Sequence, residues 1–463
     1  MPEGTASEGA GDMAAILARQ RRRESAARSY ARHLPIVPMR AEGMTVTGAD
    51  GREYLDCLAG AGSLPLGHNH PAAVEAIRRV LDSGAPMHVL DLATPVKDEF
   101  TETLLGCLPE QLARDARIQF CGPSGADAVE AALKLVRTAT GNTGLITFAG
   151  AYHGMTAAAL AASGNTSART PAKVSDAGVT RLPFPQDYRC PYGVGSVGGA
   201  RIAAEQLRRL LDDPCSGLTP PAALIVEPVQ GEGGVIPAPD AWLRAVRETT
   251  RRHGIPLIAD EVQTGLGRTG ELWGVDHAGV VPDVMVLSKA VGGGLPLAVI
   301  VYRAGLDQWA EGAHAGTFRG NQLAMAAGTA TIKYICERDL ATRARKVGEQ
   351  LAYAFREAAE GLPAIGEVRG RGLMLGIELV DPDAGPDALG ARPAAPALAR
   401  AVRAEALERG LLVELGGRRG AVLRLLPPLT ITDAEADRVA ATVVAAIAAA
   451  VGAASRSRRG GGR

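Results

Sequence analysis

Cysteine is scarce in this 463-residue sequence, and its six cysteines form no short-range pair. So few thiols do not make a disulfide scaffold, and without a Cys-x-x-Cys motif a zinc site has no support. We therefore predict reduced, packed thiols in a cytoplasmic protein, with no bound metal. The cysteines are Cys57, Cys107, Cys121, Cys190, Cys215 and Cys336.

Net charge and long apolar runs are missing too. The 50 Lys and Arg residues balance 50 Asp and Glu residues, which argues against nucleic acid or an anionic membrane as a partner. The longest largely apolar run, Val439 to Ala454, is expected to be a packed C-terminal helix, because it is too short and too weakly apolar to span a bilayer. Residues 1–11 show no signal peptide and are expected to be disordered. The basic, helix-permissive stretch Ile16 to Arg32 is expected to be a solvated arm or a subunit contact.

What the sequence does contain is a repeated alternation of short apolar runs, Gly-rich or polar turns and helical stretches. Runs that are apolar on both faces and alternate with helices indicate a mostly parallel α/β sheet. Ligands bind beyond the carboxyl ends of such strands, so the polar residues that follow each strand are site candidates. The predicted strands are Arg117–Cys121, Gly144–Phe148, Ala223–Glu227, Pro256–Asp260, Val284–Leu287 and Leu297–Tyr302.

Two later stretches, Gly370 to Leu379 and Gly420 to Leu426, are predicted strands of a second unit. The start of the chain, which carries an Ala49-Asp50-Gly51 hairpin signal, is expected to join that unit. We predict an N-terminal arm with part of a small domain over residues 1–80. A large domain with the mostly parallel sheet follows over 81–334, and a smaller α+β domain over 335–463.

The first site candidate follows the first strand of the large domain, where Ser124, Gly125 and Ala126 precede a predicted helix. Free backbone N–H groups and the positive end of the helix dipole bind phosphate at such a place, and small side chains leave these donors accessible. Serine is also an ordinary N-cap residue, so the motif alone leaves both interpretations open.

Asp260 and Lys289 follow two further strands. An Asp at the tip of a buried strand is costly unless it is paired, and a protonated pyridine nitrogen would suit it; a helix cap or a salt bridge is the alternative. Lys289 comes directly after an apolar run and shortly before three glycines. Burial lowers the pKa of an ammonium group and favours the neutral amine that a Schiff base needs, although a snorkelling lysine gives the same pattern.

A phosphate site, an acid for a ring nitrogen and a Schiff-base lysine together are the complements of pyridoxal 5'-phosphate. With these residues in place, the sequence resembles the ω-aminotransferases, which are subgroup III of the fold-type-I pyridoxal-phosphate enzymes. The resemblance runs from about Glu24 to about Asp433. The motifs that carry it are Phe148–Gly154, Glu227–Gly234, Asp260–Gly270, Ser288–Gly294, His314–Asn321 and Arg424–Thr430.

The resemblance implies a role for each residue of the cofactor site. Lys289 would form the Schiff base and carry the catalytic proton, and Asp260 would hold the proton on the pyridine nitrogen. Val262 and Tyr152 would pack on opposite faces of the ring, and Gln263 would approach the ring hydroxyl.

The resemblance also implies a shared active site. Ser124, Gly125 and Ala126 would take the phosphate, and Thr317 would reach the phosphate bound by a neighbouring subunit. We therefore expect a homodimer or a higher oligomer.

Arg424 lies in an apolar, strand-like context and suits bidentate recognition of a carboxylate. By the resemblance it would bind the α-carboxylate of glutamate or 2-oxoglutarate. Glu232 would pair with Arg424 while an ω-amine substrate is bound and then release it for glutamate. Glu227 in the same loop is predicted to be structural.

Finer matches favour the diaminobutyrate aminotransferases, which the stretches Asp56–Leu64, Gly67–Pro71 and His314–Gln322 resemble. We therefore expect L-glutamate and L-aspartate 4-semialdehyde to give 2-oxoglutarate and L-2,4-diaminobutyrate reversibly, with small molecules as the substrates. Ser63 and Pro65 depart from the pattern in the substrate loop. The alternatives are an ω-aminotransferase for ornithine, 4-aminobutyrate or another diamine, and an aminomutase of the same fold.

Three other patterns favour less specific interpretations. Gly265–Gly270 matches Gly-x-Gly-x-x-Gly, but the glycine-containing stretch after it makes a poor phosphate-binding helix. His68, His70 and His153 have no carboxylate or Cys at ligand spacing and are predicted to be polar turn residues near the substrate. Cys121 has no neighbouring base in its motif and is predicted to be a packed thiol.

Overall fold

The computed structural model describes residues 5–460, although not every side chain near its two ends. Three short 3₁₀ turns, at Gly274–Ala278, Lys289–Gly292 and Ala304–Leu306, interrupt its loops. The helices are α1 (Thr5–Arg23), α2 (Tyr30–His33), α3 (Ala59–Gly62), α4 (Pro71–Asp82), α5 (Pro95–Leu105), α6 (Glu110–Ala113), α7 (Gly125–Thr140), α8 (Ala157–Ala162), α9 (Thr166–Arg169), α10 (Ser196–Asp212), α11 (Asp240–Arg252), α12 (Gln322–Glu337), α13 (Leu340–Gly361), α14 (Pro396–Glu408) and α15 (Asp433–Gly460).

The strands of the same part of the chain form four sheets. The strands are β1 (Pro38–Glu42), β2 (Thr45–Gly48), β3 (Glu53–Asp56), β4 (Ala116–Phe120), β5 (Gly144–Phe148), β6 (Val179–Leu182), β7 (Pro221–Val226), β8 (Val229–Gln230), β9 (Ile236–Pro237), β10 (Leu257–Asp260), β11 (Val284–Leu287), β12 (Val299–Arg303), β13 (Ile365–Arg371), β14 (Met374–Leu379), β15 (Leu411–Leu412), β16 (Glu414–Gly416) and β17 (Val422–Leu425).

The largest sheet confirms the predicted mostly parallel α/β architecture. Its strand order is β4-β12-β11-β10-β7-β5-β6, and only β12 runs antiparallel to its neighbours. Alternate side chains enter different cores, as the two-residue period of a strand requires: Leu224 and Val226 lie in one apolar cluster and Ile225 in another. The sequence analysis missed the edge strand β6, whose first three residues are only half-buried and include Arg181. An edge strand with polar residues lacks the apolar signal of the central strands.

The second part of the architecture is antiparallel, in the order β13-β14-β17-β16. The predicted hairpin around Asp50 is observed, with β2 pairing antiparallel to β3. β3 also pairs in parallel with β15, so that Leu55 lies opposite Leu411. The N-terminal segment therefore joins a strand from the C-terminal part of the chain.

Both ends of the described chain differ from the expectations. Helix α1 begins at Thr5, inside the segment predicted to be disordered, because Ala, Leu, Gln and Arg in this stretch favour helix. Residues 1–4 of that segment lie outside the described residues. The predicted C-terminal run is part of a longer helix, which begins six residues before Val439. By length and composition alone, its segment Asp433–Ala454 is long and apolar enough to cross a membrane.

The packing of α15 nevertheless agrees with the predicted C-terminal helix. Val439, Val443 and Ile447 are fully buried in the main apolar core, and Ala446 and Ala450 lie on the same face. The spacing of these residues is the stripe of an amphipathic helix that packs on one side.

Candidate active site

The polar residues that follow five strands of the large sheet meet at one edge of it. They line a cavity of about 500 Å³, a size typical of small-molecule sites. This is the carboxyl edge of the parallel strands, where α/β sheets bind ligands. The cavity is lined by Ser124, Gly125, Ala126, Tyr152, His153, Gly154, Met155, Thr156, Glu227, Val229, Glu232, Asp260, Val262, Gln263, Thr264, Ser288 and Lys289.

Lys289 enters this cavity from the turn after β11. Its backbone has a φ of 50°, in the left-handed region that residues with a side chain rarely adopt. Such a conformation is costly and is found mainly at functional sites, where the surrounding structure imposes it. Burial lowers the pKa of the Lys289 ammonium, although the carboxylate of Glu232 opposes the shift. The structure therefore favours the neutral amine more than an exposed lysine would.

Asp260 ends β10 and is only 5% exposed. Its Oδ2 lies 2.7 Å from His153 Nδ1, and its Oδ1 accepts a hydrogen bond from the Val262 amide at 3.1 Å. Burial by itself would lower the pKa of His153, but the hydrogen bond and charge of Asp260 outweigh it and raise that pKa. The carboxylate thus has a fixed orientation at the sheet edge.

The role of His153 as the partner of Asp260 was missed by the sequence analysis, which grouped it with the polar turn residues. The two residues are 107 positions apart, and each follows a different strand. The available signal was their shared place at strand ends, since the carboxyl ends of parallel strands meet at one edge.

Glu227 lines the cavity and links two of its loops, as its predicted structural role requires. It accepts hydrogen bonds from the backbone amides of Tyr152, at 2.9 Å, and Gly231, at 3.0 Å. Burial raises the pKa of Glu227 to about 7. Both loops carry side chains of the cavity, so this carboxyl group fixes their spacing.

At the phosphate motif, Ser124 is the N-cap of the 16-residue helix α7, and its Oγ accepts a hydrogen bond from the Asp127 amide at 3.3 Å. The N-cap interpretation is therefore correct, and the cavity position of Ser124, Gly125 and Ala126 keeps the phosphate interpretation open. A Cβ atom at Gly125 would come within 3.1 Å of both methyl groups of Val262. Only glycine leaves the space between α7 and this side chain free.

Arg424 lies in the middle of β17 and is 3% exposed. Its Nη1 is 2.5 Å from Glu232 Oε1, and its Nη2 donates to Gln263 Oε1 at 3.2 Å. Its Nε is buried and has no hydrogen-bond partner among the described residues. The guanidinium is thus held by two residues that line the cavity, and one of them, Glu232, has a side chain that is 42% exposed and has room to move away.

Among the predicted cofactor residues, Thr317 is the one that the structure places outside this cavity. It lines a separate cavity of about 960 Å³ with His314 and Leu90, and its carbonyl lies 3.0 Å from His88 Nε2. The adjacent Phe318 is 70% exposed. Within one chain, therefore, Thr317 does not take part in the cavity of Lys289.

The glycine-rich motif Gly265–Gly270 behaves as expected of a turn. Leu266 and Gly267 have positive φ angles, and a 3₁₀ turn from Gly274 follows instead of an α-helix. The side chain of Arg268 is buried there and donates to the carbonyls of Leu373 and Pro427. The segment thus joins two parts of the structure and lacks the helix that a dinucleotide site requires.

Among the histidines, His68 contacts Asp56 at 2.8 Å and His70 caps α4. Asp127, His314 and Cys121 bring possible ligand atoms within 4.8 Å of one another, a group that the sequence analysis did not predict. Burial raises the pKa of the Cys121 thiol to about 12, which agrees with the predicted packed thiol and not with a nucleophile.

The cavity suits pyridoxal phosphate by the chemistry of its groups. It offers an amine with a lowered pKa, a buried carboxylate held by His153 and the N-terminus of a long helix beside small residues. These are the three complements of the cofactor's aldehyde, ring nitrogen and phosphate.

Comparison with known proteins agrees with this chemistry. The sequence profile of the Aminotransferase class-III family matches residues 26–447. A diaminobutyrate–2-oxoglutarate aminotransferase of Rhizobium meliloti is 55% identical over 94% of this chain and 93% of its own length. One from Haemophilus influenzae is 49% identical over 91% and 92%.

Solved structures give the same fold. A thermostable (S)-enantioselective ω-transaminase from Thermomicrobium roseum has a TM-score of 0.84 at 28% identity, covering 94% of this chain and 98% of its own. A PLP-bound amine transaminase from an uncultivated Pseudomonas species has a TM-score of 0.81 at 31% identity, covering 92% and 97%. The fold-type-I architecture expected from the motifs is thus confirmed. The chain belongs to the class-III aminotransferases, a pyridoxal-phosphate-dependent family.

Proposed function

We propose that this chain transfers an amino group reversibly from L-glutamate to L-aspartate 4-semialdehyde, giving 2-oxoglutarate and L-2,4-diaminobutyrate. The observation that carries the proposal is that Lys289, Asp260 and Glu232 line one cavity and that Glu232 binds Arg424. The reaction of the two most similar relatives described above supports the choice of substrates.

When bound, pyridoxal phosphate supplies the aldehyde that receives the amino group and a ring that withdraws electrons from the substrate carbon. Asp260 would hold the proton on the ring nitrogen, and His153 keeps this carboxylate oriented. Lys289 would hold the aldehyde through its Nζ and, when free, would carry the proton that leaves the substrate carbon. Ser124, with the small residues after it, would receive the phosphate at the start of α7.

Arg424 and Glu232 let one pocket accept two different substrates. With L-glutamate, Glu232 moves toward solvent and Arg424 binds the α-carboxylate through two parallel N–H···O hydrogen bonds. With L-aspartate 4-semialdehyde, the reacting end carries no carboxylate, and Glu232 pairs with Arg424 again. Without this pairing a buried guanidinium charge would remain uncompensated, which is strongly unfavourable.

We also propose that the protein is a homodimer or a higher oligomer, that it is cytoplasmic, and that its domains are divided at residues 80 and 335. Thr317 lies outside the cavity of its own chain and has apolar neighbours that are more than half exposed, Phe318 and Leu90. An exposed apolar patch of this kind is typical of a subunit interface. We infer that Thr317 completes the phosphate site of a second copy.

The test is a panel of amines assayed with 2-oxoglutarate and the cofactor-loaded enzyme. We expect L-2,4-diaminobutyrate to give the highest kcat/KM and to form glutamate in equal amount with aspartate 4-semialdehyde. An equal or higher value for ornithine or 4-aminobutyrate would assign the enzyme to another amine. Isomerisation of an amine without glutamate formation would indicate an aminomutase. Lys289→Ala is the inactive control.

A further inference from the structure

Two cysteine side chains outside the active site face each other. Cys107 follows α5 and Cys336 lies in the last turn of α12, 229 positions later. Their Sγ atoms are 3.7 Å apart, and both cysteines are free. A bond of about 2.05 Å between them requires an approach of less than 2 Å, within the reach of side-chain rotation at a helix end and in a loop.

The two thiols differ in exposure and acidity. Cys336 is exposed, whereas Cys107 is half-buried. Either thiol can donate the hydrogen bond between them, and the thiol that accepts it has the lower pKa of the two. Thiol–disulfide exchange needs an accessible attacking thiol, so the exposed Cys336 is the nucleophile and the half-buried Cys107 the resolving thiol.

We propose that Cys107 and Cys336 form a reversible intramolecular disulfide when the enzyme meets a low-molecular-weight disulfide. The Cys336 thiolate attacks one sulfur of the small disulfide, forming a mixed disulfide and releasing one small thiolate. Cys107 then loses its proton to solvent and attacks Cys336 Sγ, which breaks the mixed disulfide and releases the second small thiol. Two protein thiols are oxidised, and one small disulfide is reduced to two thiols.

The position of the pair links it to the active-site turn. Helix α12 packs against α5 and against the turn that begins at Lys289. A Cβ atom at Gly328 of α12 would lie 2.1 Å from the Val291 carbonyl oxygen, so the helix and this turn are in direct backbone contact. A disulfide at the end of α12 would fix a helix on which the Lys289 turn rests. It would also close a very long loop, which constrains the unfolded chain strongly.

The experiment treats the cofactor-loaded enzyme with glutathione and oxidised glutathione at fixed ratios. Intact mass, peptide mapping without reductant and the thermal midpoint are then measured. We expect the wild type to lose the mass of two hydrogen atoms, to yield a peptide that joins Cys107 to Cys336, and to gain several degrees in thermal midpoint. Dithiothreitol should reverse all three changes.

Three variants separate the outcomes. Cys107→Ser should stop at a glutathione adduct on Cys336, and Cys336→Ser should give neither the joined peptide nor the rise in midpoint. Cys215→Ser removes an exposed cysteine elsewhere and should behave like the wild type. The proposal fails if the wild type keeps a stable glutathione adduct on Cys336, if the joined peptide involves another cysteine, or if the pair stays reduced while Cys215 reacts.

Discussion

Glu232→Gln should strengthen the binding of L-glutamate, although it removes a charged group from the active site. In the structure, glutamate must compete with the Glu232 carboxylate for Arg424, and the two side chains are 2.5 Å apart. The pair joins a buried guanidinium to a carboxylate that is 42% exposed, so solvent weakens it. We estimate its worth at about 1 to 1.5 kcal/mol.

This energy fixes the size of the effect. Removing the competition should lower the dissociation constants of L-glutamate and 2-oxoglutarate by about 5- to 13-fold. The same variant should bind L-2,4-diaminobutyrate more weakly in the productive orientation, because Arg424 then has no compensating carboxylate. The assay is single-turnover spectroscopy of each half-reaction, with the loaded enzyme and one substrate at a time.

Glu414→Gln is the matched control. Glu414 lies opposite Arg424 in the sheet register, but its carboxylate contacts Arg403 at 3.1 Å. The variant Glu414→Gln should leave the affinity for both substrates unchanged. If Glu232→Gln binds L-glutamate no more tightly than wild type, while its cofactor absorbance and thermal midpoint are normal, the idea that Glu232 competes for Arg424 is wrong.

Three further results are expected. Lys289→Ala should lower kcat by at least about 100-fold, which is the usual contribution of a general acid–base group. Borohydride should no longer attach the cofactor to this variant. Normal turnover would contradict the role of Lys289. Burial raises the pKa of Glu261 to about 7 from 4.5, so its stabilising contribution is complete below pH 4.5 and is lost as the pH rises through 7. The variant Glu261→Gln stays neutral, so the free energy of unfolding of the wild type should fall by about 3 kcal/mol relative to that of the variant across this pH range. Thermal midpoints measured between pH 5 and 8 would follow this change. A constant difference between the two proteins would refute the assigned pKa. If each site is shared, mixing inactive Lys289→Ala subunits with Thr317→Ala subunits should make about a quarter of the sites intact, because one site of each mixed dimer has both wild-type residues. If the mixture is no more active than the separate variants, the sites are not shared.

The sequence alone was enough for the architecture and for the main chemical groups of the site. Strands buried on both faces give continuous apolar runs, and the functional residues follow those runs directly, as Ser124, Asp260 and Lys289 do. The apolar run and the functional residue after it lie within a few positions of each other, so a short stretch of sequence is enough to predict both.

Tertiary structure decided the contacts between segments that are distant along the chain. Asp260 meets His153 across 107 positions, and Arg424 meets Glu232 across 192. The left-handed backbone at Lys289 is also imposed by its surroundings, because no local preference of lysine favours it. Such pairings depend on which strands become neighbours in the sheet, and no local pattern of residues encodes that order.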